Sequence, residues 1–86
     1  MFKATTIINN ETGLHARPAS LLAAECIKYE SEITINTADT EIHPKSIISI
    51  LAGGVFKGTE VTLVVEGPDE DEAGASIMNL LNNLPD

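Results

Sequence analysis

The sequence is poor in cysteine, in aromatic residues and in long apolar runs. Of its 86 residues one is Cys, one is Tyr, two are Phe and none is Trp. The single cysteine, Cys26, excludes a disulfide within the chain and is typical of a reducing compartment. No run approaches the roughly 20 apolar residues that a membrane span needs, and the first ten residues lack the continuous apolar block of a secretory signal. We therefore expect a cytoplasmic protein with an aliphatic core and no membrane partner.

Basic residues are also scarce: there are 5 Lys and Arg against 13 Asp and Glu, a net charge of −8. This balance argues against nucleic acid or an anionic membrane as a partner. The acids are unevenly distributed, because five fall within residues 66–72 and none falls within residues 43–58. The acid-free segment is therefore a candidate contact for an acidic protein surface or for a phosphate.

The apolar pattern changes period along the chain and predicts one domain, residues 1–86, with the element order β-α-β-β-α-β-α. Alternation predicts strands, and spacing of three and four residues predicts helices. The predicted elements are strands at Lys3–Ile8, Ile33–Asn36, Glu41–His43 and Glu60–Glu66, and helices starting at residue 15 or 16, at Ile47 and after Pro68. The alternation predicts a sheet with one face exposed to solvent and the other covered by helices. This arrangement is an α+β open-faced sandwich, a four-stranded antiparallel sheet with the helices on one face.

The segment GLHARPAS places His15 at the start of the first helix, with Arg17 two residues later. Pro18 fits only in the first helical turn, which fixes this start. The unpaired N–H groups of a helix start bind anions, and a guanidinium matches phosphate oxygens. An imidazole nitrogen is a nucleophile that forms a transferable phosphoramidate. Two readings remain open from these residues alone, a phosphate-accepting histidine or a polar helix cap.

The second segment of interest is KSIISIL, in which Ser46 precedes a short helix. Ser46 is predicted to cap that helix. So short a helix can bury only one stripe, so some of its apolar side chains should be exposed. The alternative is a fully covered core helix.

The remaining candidates for chemistry are Cys26 and His43. Cys26 lies on the apolar stripe of the first helix and is predicted to be a core residue rather than a reactive thiol. His15, His43 and Cys26 do not have the spacing of metal ligands. The sequence gives no sign of a metal or of another cofactor.

Two motifs are similar to those of the HPr family, the histidine-containing phosphocarriers of the bacterial sugar phosphotransferase system. GLHARPA resembles the phosphorylation-site signature of that family, and KSIISILAGGVFKGTEV resembles its regulatory segment; the resemblance covers nearly the whole chain. It implies an HPr-like fold, phosphorylation of His15 on Nδ1 and support of the phosphate by Arg17. It also implies a stoichiometric carrier rather than an enzyme, with enzyme I as donor and sugar-specific IIA domains as acceptors.

The resemblance further implies that Ser46 is phosphorylated by HPr kinase/phosphorylase and that a catabolite-control transcription regulator is a partner. Ile47, Ile48 and Leu51 become a partner-binding patch, with Ile50 directed inward, and the carrier is expected to be a monomer. Phosphate on Ser46 would add negative charge to the acid-free segment and repel an acidic partner.

Three functions from different classes remain. The favoured one is the phosphoryl carrier. The second is an HPr-like regulatory paralogue acting through Ser46, or a carrier of a nitrogen-linked phosphorelay; a related non-carrier branch has lost the histidine, which this chain keeps. The third is a binding domain of the same shape, because a fold does not fix a function.

Overall fold

Seven helices and strands follow one another in the computed structural model, which describes residues 1–85. Their bounds are β1 (Phe2–Ile7), α1 (Ala16–Ile27), β2 (Glu32–Asn36), β3 (Glu41–Ile42), α2 (Ile47–Ala52), β4 (Glu60–Glu66) and α3 (Glu70–Leu81). The predicted order, with two short elements in the middle of the chain, is confirmed.

The four strands form one sheet in the order β1-β4-β2-β3, and every neighbouring pair is antiparallel. Strand β4 lies in the interior of the sheet, and its side chains alternate. Val61, Leu63 and Val65 are buried, whereas Thr62 and Val64 lie on the other face and are half-exposed. The polar face carries hydroxyl pairs such as Thr5 and Thr62, whose oxygens are 3.0 Å apart.

The core lies between the sheet and the helices, and it is almost entirely aliphatic. Helix α3 packs on β1 and β4, and α1 packs against both other helices. The largest fully buried side chains come from all parts of the chain: Ile8, Leu14, Leu22, Ile35, Ile42, Ile50, Leu63, Ile77, Leu81, Val55, Val61 and Val65. The α+β open-faced sandwich is therefore confirmed.

The predicted end of β3 is wrong. His43 does not continue β3, because its N–H donates to Ser49 Oγ at 2.9 Å and so belongs to the turn that leads into α2.

The helices in residues 1–85 are short, and none of them is long and apolar enough to cross a membrane.

Candidate functional site

His15 is positioned by the loop that connects β1 to α1. The loop turns at Gly13, whose φ of 64° lies in the left-handed region. Leu14 follows with a fully buried side chain, and its N–H donates to the carbonyl of Val55 at 3.0 Å. This bond joins the loop to the segment after α2. His15 then comes out of the core in an extended conformation, as the residue preceding the first turn of α1.

The side-chain amide of Asn10 holds the same loop closed. Its Nδ2 donates to the carbonyl of Gly13 at 2.9 Å and to the carbonyl of Pro85 at 3.3 Å. Asn10 was not among the residues predicted for the site. Its bond to Gly13 could have been predicted, because Asn in a polar turn often bonds to nearby backbone. Its bond to Pro85 could not, because Pro85 is 75 residues away in the sequence.

Helix α1 begins with an unusual residue, because Ala16 has a φ of +50°. Non-glycine residues seldom adopt this region, and such strain occurs where the surrounding structure enforces it. Here it lies between His15 and Arg17. Nothing in the identity of an alanine predicts it.

The imidazole of His15 lies against the ring of Phe56, with the centroids 5.5 Å apart and the planes inclined by 25°. Its Nε2 is buried and has no hydrogen-bond partner. Nδ1 also forms no hydrogen bond within residues 1–85, but unlike Nε2 it is not buried. The nitrogen that can be reached from solvent is therefore Nδ1. Phe56 is a second residue that the sequence did not reveal, since its contact depends on two distant loops meeting.

Arg17 lies in the first turn of α1 and is exposed. Its guanidinium forms no hydrogen bond or ion pair with the part of the chain that is described, so its donors are available. The structure thus places both predicted residues at the start of α1. The Nδ1 atom of His15 and the guanidinium of Arg17 are both accessible there. Such a site can bind the oxygens of a phosphoryl group.

Ser46 caps α2 as predicted. It is exposed, and its Oγ accepts the N–H of Ser49 at 3.2 Å. Ile50 is fully buried, whereas Ile47, Ile48 and Leu51 are 42%, 78% and 41% exposed. The prediction that α2 buries one stripe is confirmed, and the alternative of a fully covered helix is wrong. We call Ile47, Ile48 and Leu51 the α2 patch.

Cys26 is fully buried on α1, and burial raises the pKa of its thiol to about 12. A thiol that does not ionise near neutral pH is a poor nucleophile and a poor ligand. In residues 1–85 no three His, Cys, Asp or Glu side chains are grouped to hold a metal ion.

The chain is similar to known proteins in both sequence and fold. The family model described as "PTS HPr component phosphorylation site" matches residues 2–83. The phosphocarrier protein HPr of Mycoplasma capricolum is 44% identical over 73 residues, which are 85% of this chain and 82% of that one. The solved HPr-C-His of Thermoanaerobacter tengcongensis superposes with a TM-score of 0.92 at 39% identity, covering 95% of this chain and 92% of that one.

A third relative is Crh, the catabolite repression containing protein of Bacillus subtilis, solved as a dimer with a swapped domain. It has a TM-score of 0.75 and 32% identity, over 95% of this chain and 94% of that one. The family model covers nearly the whole chain, and two HPr relatives align with it over most of their length. This chain therefore belongs to the HPr family, the phosphocarrier proteins of the phosphotransferase system, which carry a phosphoryl group and are not enzymes.

Proposed function

We propose that this carrier accepts its phosphoryl group on Nδ1 of His15, from phospho-enzyme I, and passes it to sugar-specific IIA domains. The observation that carries the proposal is the difference between the two ring nitrogens: Nε2 is buried, whereas Nδ1 is open and unbonded at the start of α1. The Nδ1 lone pair attacks phosphorus, a P–N bond forms, and the bond from phosphorus to the donor breaks. Transfer to the acceptor reverses these roles.

Arg17 supports the phosphate in this proposal. Its guanidinium has no internal partner, so it can approach the phosphoryl oxygens without giving up a bond. The unpaired N–H groups of the first turn of α1 add a second source of positive potential. Both sources act on the dianion and leave it exposed, so it can be handed on.

The α2 patch is proposed as the contact for enzyme I and the IIA domains. Helix α2 packs beside α1, so its exposed isoleucines lie on the helical side of the molecule, as His15 does. The patch belongs to the acid-free segment 43–58. An apolar patch within a segment that has no acidic residues fits an acidic partner.

Ser46 is proposed as a regulatory site for HPr kinase/phosphorylase, and the phosphorylated form as a ligand of a catabolite-control transcription regulator. The Ser46 hydroxyl is exposed and directly precedes the α2 patch. A phosphate there would bring nearly two negative charges into the acid-free segment. It would repel an acidic donor without disturbing the core.

The domain 1–86 is proposed to act as a cytoplasmic monomer. Crh forms a dimer with a swapped domain, so the monomer is a separate prediction, tested by sedimentation equilibrium over a range of concentrations. The regulatory alternative is less favoured, because a protein that acts through Ser46 alone has no need of an open Nδ1.

The test is phosphorylation by enzyme I and phosphoenolpyruvate, followed by intact mass measurement at alkaline pH, where a phosphoramidate survives. The wild type should gain one acid-labile phosphoryl group, and His15→Ala should gain none. His43→Ala is the matched control, because His43 is the other histidine of the chain and is exposed. Phosphorylation of His15→Ala, or its loss in His43→Ala, contradicts the proposal.

A further inference from the structure

Two loops meet beside the phosphoryl site, and the bond between them determines which side chains become neighbours. Leu14 N–H donates to the Val55 carbonyl. The residues that follow these two in the chain are His15 and Phe56, which brings their side chains together. A Cβ on Gly13 would lie 2.7 Å from the Cα of Phe56, so the two backbones touch at this point.

The Phe56 backbone is held in place by its own turn. Phe56 N–H donates to Thr59 Oγ1 at 3.1 Å, and Thr59 N–H donates to the Phe56 carbonyl at 3.0 Å. Gly58 N–H donates to the carbonyl of Ile8 at 2.7 Å, which fastens the turn to the end of β1. Phe56 is thus presented by a fixed turn, although its side chain is 59% exposed. The Phe56 ring therefore lies outside the core, where it contacts the imidazole of His15.

We propose that Phe56 is a positioning residue that covers Nε2 of His15 and leaves Nδ1 as the nitrogen that receives the phosphoryl group. The inference deepens the proposed function and rests on it. The separation of 5.5 Å and the inclination of 25° are those of an offset aromatic stack. Such a stack holds the imidazole in one orientation. Nε2 is the buried nitrogen of that orientation, and no acceptor or donor within residues 1–85 meets it.

The arrangement also fixes where the ring proton must be during attack. Nδ1 attacks with its lone pair, so the proton of the neutral imidazole resides on Nε2. With a phosphoramidate zwitterion as donor, the P–N bond to Nδ1 forms, the bond to the amine breaks and ammonia leaves. The Nε2 proton stays on the ring, and no further proton is required. Attack by Nε2 would need this nitrogen to come out from its cover, with the stack broken.

The test uses potassium phosphoramidate, a small donor that needs no partner protein, and compares the product with that of free histidine, in which either ring nitrogen can attack. The site of phosphorylation is read from the nitrogen-15 shifts of the ring and their coupling to phosphorus. The wild type should give the Nδ1 product in large excess. Phe56→Ala should raise the ratio of Nε2 to Nδ1 product by about tenfold, the upper range for loss of an aromatic stack.

Two further variants separate this role from a merely structural one. Phe56→Tyr keeps the ring and should give the wild-type ratio. Ile27→Ala removes another exposed apolar side chain, 63% exposed at the far end of α1, and should also leave the ratio unchanged. A melting curve is recorded for each variant. If Phe56→Ala does not fold, the inference is decided by comparing the ratio of Nε2 to Nδ1 product in the wild type with the ratio in free histidine.

A wild-type product divided between the nitrogens as in free histidine would overturn the inference, as would an unchanged ratio in a folded Phe56→Ala. The same variants are then phosphorylated by enzyme I. If enzyme I does not phosphorylate the wild type, the proposed function fails while the phosphoramidate result still decides the role of Phe56.

Discussion

Replacing Gly13 by alanine tests how the fold presents His15. Gly13 has a φ of 64°, and a Cβ at this position would lie 2.3 Å from the carbonyl oxygen of Val55. That oxygen accepts the N–H of Leu14. The alanine therefore meets two separate penalties, one from its backbone conformation and one from the neighbouring loop.

Gly54 provides a matched control in the same region. Its φ is 66°, but a Cβ there would approach only the ring of Phe56, at an ordinary 4.0 Å. Gly54→Ala thus carries the conformational penalty without the collision. An L-residue in the left-handed region costs roughly 1–2 kcal/mol, reduced by roughly 0.4–1 kcal/mol because alanine also restricts the unfolded chain. The expected loss for Gly54→Ala is about 1 kcal/mol, or about 4–8 °C in Tm.

Gly13→Ala should lose more, because the two loops must separate. Separation breaks the Leu14–Val55 hydrogen bond, whose donor residue and acceptor residue are both buried. A buried polar group left without its partner costs about 1–3 kcal/mol. The free energy of unfolding should therefore fall by about 1–3 kcal/mol more in Gly13→Ala than in Gly54→Ala.

Urea titration at pH 7 measures both losses, and phosphorylation by enzyme I is measured on folded protein at the same time. Gly13→Ala should accept phosphate more slowly than Gly54→Ala, because His15 and Phe56 follow the two residues whose bond is broken. Equal losses of stability in the two variants would refute the collision argument. Equal rates despite unequal stability would show that the loop contact does not position His15.

The remaining predictions concern three exposed or half-exposed side chains. Arg17→Ala should slow transfer by about 10²–10³-fold, the usual effect of removing a group that stabilises developing charge, with stability within about 0.5 kcal/mol of the wild type; rapid-quench kinetics beside a melt check both. Ser46→Asp should keep the α2 cap and melt at the same or a slightly higher temperature, yet accept phosphate from enzyme I up to about tenfold more slowly at low salt, a defect that shrinks as salt rises. The Ser31 hydroxyl, and then the N–H groups of Glu30 and Ser31, hold the pKa of Asp69 below its usual value. These bonds stabilise the folded protein at any pH above the pKa that Asp69 has in the unfolded chain, and this stabilisation is lost as the pH falls through the lower pKa of Asp69 in the folded protein. In melts from about pH 7 to about pH 2, Asp69→Asn should therefore show a smaller fall of Tm with falling pH than the wild type.

The parts of the structure that the sequence predicts are those with a local cause. Pro18 fixes the start of α1 because proline fits the first helical turn, and the structure begins the helix at Ala16. Ser46 caps α2 because its hydroxyl reaches the third residue beyond it. The alternation of residues 60–66 predicts both ends of β4 correctly.

The parts that the sequence does not predict depend on contacts between distant segments. The stack of Phe56 on His15 joins residues 41 positions apart and exists because Leu14 and Val55 pair. The φ of Ala16 and the bond from Asn10 to Pro85 are likewise enforced by the assembled fold. His43 lies outside the predicted strand for a more local reason, because its N–H donates to the hydroxyl of Ser49, six residues further along the chain.

These distant contacts hold the backbone around the site but do not engage the groups proposed to bind the phosphate. Leu14 is fully buried and Gly13 is held, but Nδ1 of His15 and the guanidinium of Arg17 form no bonds within the described chain. A carrier has to release the group that it binds, so a pocket that enclosed the phosphoryl group on every side would oppose onward transfer. If His15 carries the phosphoryl group as proposed, the fold supplies orientation through Phe56 and the loop contact, and leaves one face of the phosphate open to each partner in turn. It follows that the groups which activate the incoming and leaving atoms must come from the donor and the acceptor, whereas this chain contributes the nucleophilic nitrogen of His15 and the positive charge of Arg17.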